Sequence, residues 1–216
     1  MSEIFQIAVD GPSGAGKSTI AKAIARKLDI DYIDTGAMYR ALGYKMLQLG
    51  ITEEEPDKVA KLLADTEIDF SKGDIILDGS VINDLIRTPE IPMKASACSA
   101  LGIVRKHLVK VQQEMGAKKS VIMDGRDIGT CVLPDADVKV YLTASVETRA
   151  KRRYQELQEK GEDCNLEEIA HDIEERDHRD MTREIAPLKQ AEDAVLIDSS
   201  DMTIDEVVKA IVDLCK

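Results

Sequence analysis

Eight residues near the start of the chain, Gly11-Pro12-Ser13-Gly14-Ala15-Gly16-Lys17-Ser18, join small residues to one cation and one hydroxyl in the spacing G-x-x-x-x-G-K-S. Phosphate binding asks for this pattern. An anion with many acceptor oxygens needs many donors close together, and Gly14 and Gly16 keep Cβ atoms away so that successive backbone N–H groups can point inward. Lys17 can reach the outer phosphates, and the Ser18 hydroxyl can ligate Mg²⁺. Further along, Asp124-Gly125-Arg126-Asp127 offers two carboxylates and a guanidinium, with Asp124 a candidate metal carboxylate. A surface ion pair between Arg126 and Asp127 is the plainer alternative. Arg176, Arg179, Asp180 and Arg183 follow helical spacing, which predicts three guanidiniums and one carboxylate on one face of one helix. Such like charges repel unless an anion joins them; a solvated charged face balanced by Glu174, Glu175 and Asp177 is the alternative.

These groups can act together only if the chain folds them to one place. The apolar run Ile4 to Val9 reads as a strand feeding the loop, and Ile20, Ile24 and Leu28 predict a following helix whose positive end faces the bound anion. Asp31 to Asp34 is a second strand, followed by a helix carrying Met38, Leu42, Met46 and Leu49 that Gly50 closes. After a helix at about Val59 to Ala64, the runs Glu67 to Ser71, Ile75 to Leu77 and Val81 to Ile82 are separated by Lys72-Gly73-Asp74 and Asp78-Gly79. Those turns predict a small antiparallel meander. One helical stretch is expected from about Glu90 to Gly116. The strand Val121 to Asp124 then delivers Asp124 to Asp127 to the carboxyl edge of a sheet, where ligands of open α/β folds bind. Beyond it, strand Val138 to Leu142, helix Ser145 to about Lys160, a polar loop, a helix, strand Val195 to Ile197 and a last helix alternate as a parallel sheet requires. Asn165 with Glu168, and Thr203 with Glu206, predict capping boxes.

Composition removes several classes of function. A net charge of -12 opposes affinity for polymeric nucleic acid, and with no Trp and 3% aromatic residues there are few platforms for stacking bases. Any polyanion bound must be small and held locally, as arginines gathered at Arg149, Arg152 and Arg153 and again at Arg176, Arg179 and Arg183 suggest. The apolar N-terminal run is too short, and Asp10 follows too soon, for a signal or membrane helix, so a cytosolic location is expected. Cys98, Cys131, Cys164 and Cys215 lack C-x-x-C spacing and are expected to be buried small residues; neither they nor His107, His171 and His178 suggest a zinc site.

Four segments, Asp10 to Thr19 (DGPSGAGKST), Asp34 to Arg40 (DTGAMYR), Asp124 to Gly129 (DGRDIG) and Glu175 to Arg183 (ERDHRDMTR) with Ala186-Pro187-Leu188, together resemble the bacterial cytidylate kinases, the CMP and dCMP kinase branch of the nucleoside monophosphate kinases. The resemblance runs nearly end to end. It implies a three-layer α/β P-loop kinase core with a parallel sheet from residues 1–34 and 120–216, a substrate-binding insert over 35–119 and a short lid at 153–166. ATP with Mg²⁺ would be the donor and CMP or dCMP the acceptor, with a monomer as the default state. Residue by residue, the resemblance implies that Gly11 to Thr19 bind ATP, with Lys17 catalytic, and that Ser18 and Asp124 hold the metal. Arg40, Arg126 and Arg183 would grip the acceptor phosphate, Arg176 and Asp180 would face the ribose, and Thr35 would stand near the substrate. Ser96, Arg105 and Asp127 would read the base. Arg126, Arg176 and Arg183 are also expected to aid catalysis, joined by Arg153 as a lid arginine.

Two rival classes fit less well. A GTP-binding switch would need Asn-Lys-x-Asp, which the sequence lacks, and an ATPase acting on nucleic acid is disfavoured by the acidic balance. A kinase for another small acceptor stays open on the loop alone, because the loop reports the donor.

Overall fold

The strand entering the phosphate loop, β1 (Gln6–Asp10), lies at the centre of a five-stranded sheet. Its partners are β6 (Val121–Gly125) on one side and β7 (Val138–Thr143) on the other, both parallel. Beyond them lie β2 (Asp31–Asp34) and β8 (Val195–Asp198), giving the all-parallel order β2-β6-β1-β7-β8. Ile7, Ala8 and Val9 are fully buried, which is why this strand reads as an unbroken apolar run instead of alternating. The computed structural model describes residues 4–71, 73–88 and 90–215, so Lys72 of the expected turn lies outside the described residues.

Alternate residues of β1 feed two separate cores. Ile7 and Val9 pack with Ile20 and Ile24 of α1 (Lys17–Leu28) and Val208 and Ile211 of α8 (Ile204–Leu214). Ala8 faces the other way, toward Met38 and Leu42 of α2 (Thr35–Gln48) and Leu108 of α5 (Gly102–Gly116). Two helical layers therefore sandwich the sheet. At the exit of β1, Gly11 has φ +148, and a Cβ there would sit 1.9 Å from the Leu142 carbonyl oxygen, so only glycine lets the chain turn against β7.

The insert continues from α2 through α3 (Pro56–Ala64) to the antiparallel sheet β3 (Ile68–Ser71), β4 (Asp74–Leu77) and β5 (Ser80–Val81). The single helix expected from Glu90 to Gly116 is in fact two, α4 (Ile91–Ser99) and α5. Leu101 takes an extended conformation, ψ 119, and breaks the run. The break frees α4 to lie along α2, where a Cβ on Gly43 would come within 3.0 Å of the Ala95 nitrogen, while α5 turns toward the main sheet. Apolar side chains face the core on both sides of the break, so hydrophobic pattern alone gave no sign of it.

The second half supplies α6 (Val146–Glu159) and α7 (Leu166–Thr182), joined by residues 160–165. Residues 153–159 of the expected lid are thus helical. Asn165 caps α7 by accepting from the Glu167 and Glu168 amides at 2.8 and 3.4 Å, without the reciprocal bond of a box among the described contacts. Thr203 and Glu206 do form the reciprocal box at the start of α8. Of the four free cysteines only Cys98 is buried; the others are half-buried. Among the described residues no helix is long and apolar enough to cross a membrane.

Candidate active site

The loop after β1 and the carboxyl ends of β6 and β2 meet at one crevice, because chain order reverses beside β1. Lys17 is buried, and its Nζ donates to the carbonyls of Gly11 (2.8 Å) and Pro12 (2.7 Å). Burial, reinforced by the Arg126 guanidinium, holds its pKa well below the usual lysine range. Gly11 and Pro12 are themselves buried behind the loop; Ser13 to Thr19 line the crevice.

Asp124 closes the crevice from β6. Its Oδ2 accepts from the Ser18 hydroxyl at 2.9 Å, its Oδ1 from the Tyr32 hydroxyl at 2.8 Å, and its backbone carbonyl from the Thr35 hydroxyl at 2.7 Å. Burial pushes the carboxyl up, and neighbouring Asp34 pushes the same way. A hydroxyl and a buried carboxylate in contact, all oxygen donors, suit a hard divalent ion such as Mg²⁺ that takes its remaining ligands from nucleotide phosphates and water. One residue upstream of the loop, Asp10 accepts from the Ile128 and Gly129 amides at 2.8 and 2.7 Å. It thereby pins the π-helical turn Ile128–Val132 just beyond Asp127. Burial outweighs those two bonds and raises its pKa to about 6.

On the far side of Asp124 the arginines converge. Arg40 is held by Asp34 at 2.9 Å, and Asp34 also caps α2 by accepting from the Ala37 amide. Arg126 does not pair with Asp127: its Nε meets Asp180 at 2.8 Å. Asp127 instead lies between Arg105 (3.6 Å) and Arg183 (3.7 Å). At those distances the charges attract without a hydrogen bond, and Asp127 Oδ2, Arg105 Nε and Arg183 Nη2 are buried with no hydrogen-bond partner. Orphaned polar atoms of this kind are costly, and clustering at a crevice marks them as groups positioned for a ligand. Burial raises the Asp127 carboxyl against the pull of Arg105 and Arg183. It raises Asp180 too, but Arg126 and its neighbours outweigh it and hold that carboxyl low.

A cleft of about 710 Å³ joins these groups, with Ser96 and Arg105 at one end and Ser199, Met202 and Ile204 at the other. Thr35, Arg40, Arg126, Arg153, Arg176, Asp180 and Arg183 all reach it. The shared helix face needs two corrections. Arg179 turns out of the cleft, its Nε near the Glu175 carbonyl, and Arg183 stands past the end of α7 with its Nε donating to the Ala186 carbonyl. Helical spacing stops informing once the helix ends. Arg153, at the rim, is paired with Glu156 at 2.8 Å. Sequence reading passed over Asp10, Tyr32, Asp34 and Tyr39, whose hydroxyl accepts from Arg105 at 3.2 Å. Asp10 and Asp34 lie inside distinctive segments and could have been found there; nothing local marks Tyr32.

A parallel sheet with a phosphate loop between β1 and α1, a strand-end carboxylate beside the loop and an arginine cluster opposite define a P-loop kinase. Shikimate kinase from Bacteroides thetaiotaomicron shares this fold, with a TM-score of 0.52 over 99% of each chain at 14% identity. The model of the cytidylate kinase family matches residues 7–216. A cytidylate kinase of Caldicellulosiruptor saccharolyticus is 50% identical over 97% of this chain and 95% of its own, and one of Clostridioides difficile 52% identical over 95% of each. The chain belongs to the cytidylate kinase family, and it is a phosphotransferase of the nucleoside monophosphate kinase class.

Proposed function

We propose that the protein transfers the γ-phosphoryl group of ATP to CMP and dCMP, giving ADP and the cytidine diphosphates. The observation that carries this reading is the buried Asp127 between Arg105 and Arg183, with unpaired polar atoms, set across Asp124 from the phosphate loop. In it the donor's phosphates lie on the N–H groups of Ser13 to Thr19, and its base rests at the end bounded by Met202, Ile204 and Val207. The acceptor phosphate is gripped by Arg40, Arg126 and Arg183, its ribose faces Arg176 and Asp180, and its base meets Asp127, Arg105 and Ser96. Thr35, tied to Asp124, shapes the floor between them. Mg²⁺ held at Ser18 and Asp124 would neutralise charge on the donor phosphates.

No protein base is needed. The attacking oxygen belongs to a phosphate whose second pKa is near ~6, so at neutral pH most acceptors are already dianions. Catalysis then reduces to aligning two anions and offsetting their repulsion, with Lys17, Arg126, Arg153, Arg176 and Arg183 supplying positive charge around the transferring group. Asp34 and Asp180 steer the guanidiniums in advance, so little reorganisation remains when substrate arrives. The deciding measurement is ADP release with a panel of nucleoside monophosphates. CMP and dCMP should exceed UMP and AMP by orders of magnitude, and equal rates across the panel would overturn the acceptor assignment. Gel filtration tests the accompanying proposal of a monomer.

Water must be excluded during transfer, and in this reading residues 153–166, the end of α6 and the connection to α7, serve as the lid that does so. The guanidiniums of Arg176 and Arg183, each held below the usual arginine range by burial, are relieved when phosphates join them. Amide exchange across Tyr154 to Leu166 is therefore expected to slow when CMP and a non-hydrolysable ATP analogue are added together. Unchanged exchange would make this segment a fixed connection.

A further inference from the structure

The two helices flanking residues 160–165 reach back to touch the phosphate loop from behind. Arg149, in the first turn of α6, is buried and uses three nitrogens on three different segments. Its Nε donates to the Ala144 carbonyl at 2.9 Å, its Nη1 to the Ser13 carbonyl at 2.8 Å, and its Nη2 pairs with Asp177 of α7 at 2.7 Å. The second oxygen of Asp177 faces the Ser13 amide at 3.4 Å. Both backbone polar groups of Ser13 are thus engaged by one ion pair whose side chains are only 4% and 11% exposed. The approach is close: a Cβ on Gly14 would lie 3.3 Å from Arg149 Cβ.

We propose that the Arg149–Asp177 pair is a positioning device that sets the shape of the phosphate loop and, through α7, ties it to the acceptor side. Neither residue need touch a reacting atom. Ser13 is the first loop residue to line the cleft, so its peptide orientation decides where the following N–H groups point. Asp177 lies between Arg176 and Asp180 on α7, and a shift of that helix as the acceptor binds is passed to Ser13 along a charge-assisted pair. A planar guanidinium suits the task because its fork reaches several acceptors at fixed angles; a lysine ammonium could replace the charge but not the geometry.

The inference rests on the reading that the loop holds the donor's phosphates, and its test separates the two. Mg-ADP is titrated by calorimetry into the unaltered protein and into Arg149→Lys, Arg149→Met, Asp177→Asn and the double variant Arg149→Met/Asp177→Asn. Each single variant should bind ADP about tenfold to a hundredfold more weakly, the scale on which small misplacements act. The double variant should be little worse than either single one, because one device has been broken twice. KM for CMP should change far less than KM for ATP, and amide exchange at Ser13 to Gly16 should quicken. A purely structural tie would instead lower the melting temperature while leaving ADP affinity and loop exchange unchanged, and that result overturns the proposal. Should Asp177→Asn fail to fold, Arg149→Lys, which keeps charge and bulk, carries the same comparison. Failure of the unaltered protein to bind ADP would overturn the donor reading and this inference with it.

Discussion

Lys17→Ala is expected to lower kcat about a thousandfold, at the upper end of what removing one preorganised charge or donor costs, without lowering the melting temperature of the ligand-free protein. The two halves share one cause. Without ligand the Lys17 ammonium is cut off from water and faces Arg126 and Arg176, so burial and like charge both act against it. Asp124 and Asp10 offset part of that cost, and two loop carbonyls accept its protons. A cation held this way is a burden to the fold until phosphate arrives, and alanine removes the burden together with the catalysis. The pH dependence follows from the direction of the shift. A lysine whose folded pKa is depressed costs stability at low pH, where both folded and unfolded chains hold the proton. The cost is relieved as pH rises from the folded value toward 10.5, because there the unfolded chain binds more protons. Unaltered protein should therefore gain stability relative to Lys17→Ala on going alkaline. Melting curves over that range, paired with initial rates at saturating substrates, check both statements. Turnover near normal in the variant would remove Lys17 from the chemistry.

The second large effect concerns which base is accepted. Cytosine presents an amino donor at N4 and acceptors at N3 and O2, whereas uracil offers an acceptor at O4 and a donor at N3. A carboxylate complements only the first pattern. Asp127 has an oxygen without a hydrogen-bond partner, and Arg105, whose Nη1 faces it at 3.6 Å, has an Nε likewise without one, so the pair can receive N4 and donate toward the ring acceptors. Sites built around such bonds reject the mismatched analogue by up to ~10⁴-fold. Asp127→Asn should cut kcat/KM for CMP by about a hundredfold or more, leave UMP nearly unchanged, and so narrow the ratio. Acidification should act like the substitution, since burial raises the Asp127 pKa and the protonated acid becomes a donor. A CMP-to-UMP ratio indifferent to both changes would return Asp127 to a structural partner of the two arginines.

Much of this site could be read from sequence because its main pieces are local. Eight consecutive residues make the loop, and DGRDIG brings a carboxylate, a guanidinium and a second carboxylate on one strand end. What stayed hidden depends on distant pairing. Tyr32 reaches Asp124 only because β2 lies beside β6, a neighbour 92 residues along the chain. Arg149 looked like one of a basic group with Arg152 and Arg153, yet it is buried against Ser13, 136 residues away, while Arg152 binds the Ser199 backbone. The break at Leu101 escaped notice although Gly102 stands beside it, because a lone glycine is tolerated within a helical pattern and the apolar pattern runs on. Arg179 turns away for a related reason: spacing fixes which residues share a broad face, but how α7 packs decides which edge of that face meets the cleft.

The central position of β1 also governs the order in which the molecule can be built. Gln6 pairs with Val121 and Ile7 with Val138, so neither flank of the strand has a partner until more than a hundred further residues have left the ribosome. Contacts of such long range form late and slowly, because the loop-closure entropy must be met before they give any return. Throughout that interval Ile7, Ala8 and Val9 are an unpaired apolar strand, the kind of edge on which nascent chains aggregate. The insert, whose helices and meander contact one another locally, can organise in the meantime and shelter part of the exposed surface. The phosphate loop is therefore synthesised well before the strands that flank it, so a chain interrupted before β7 carries the whole loop sequence without the sheet that shapes it.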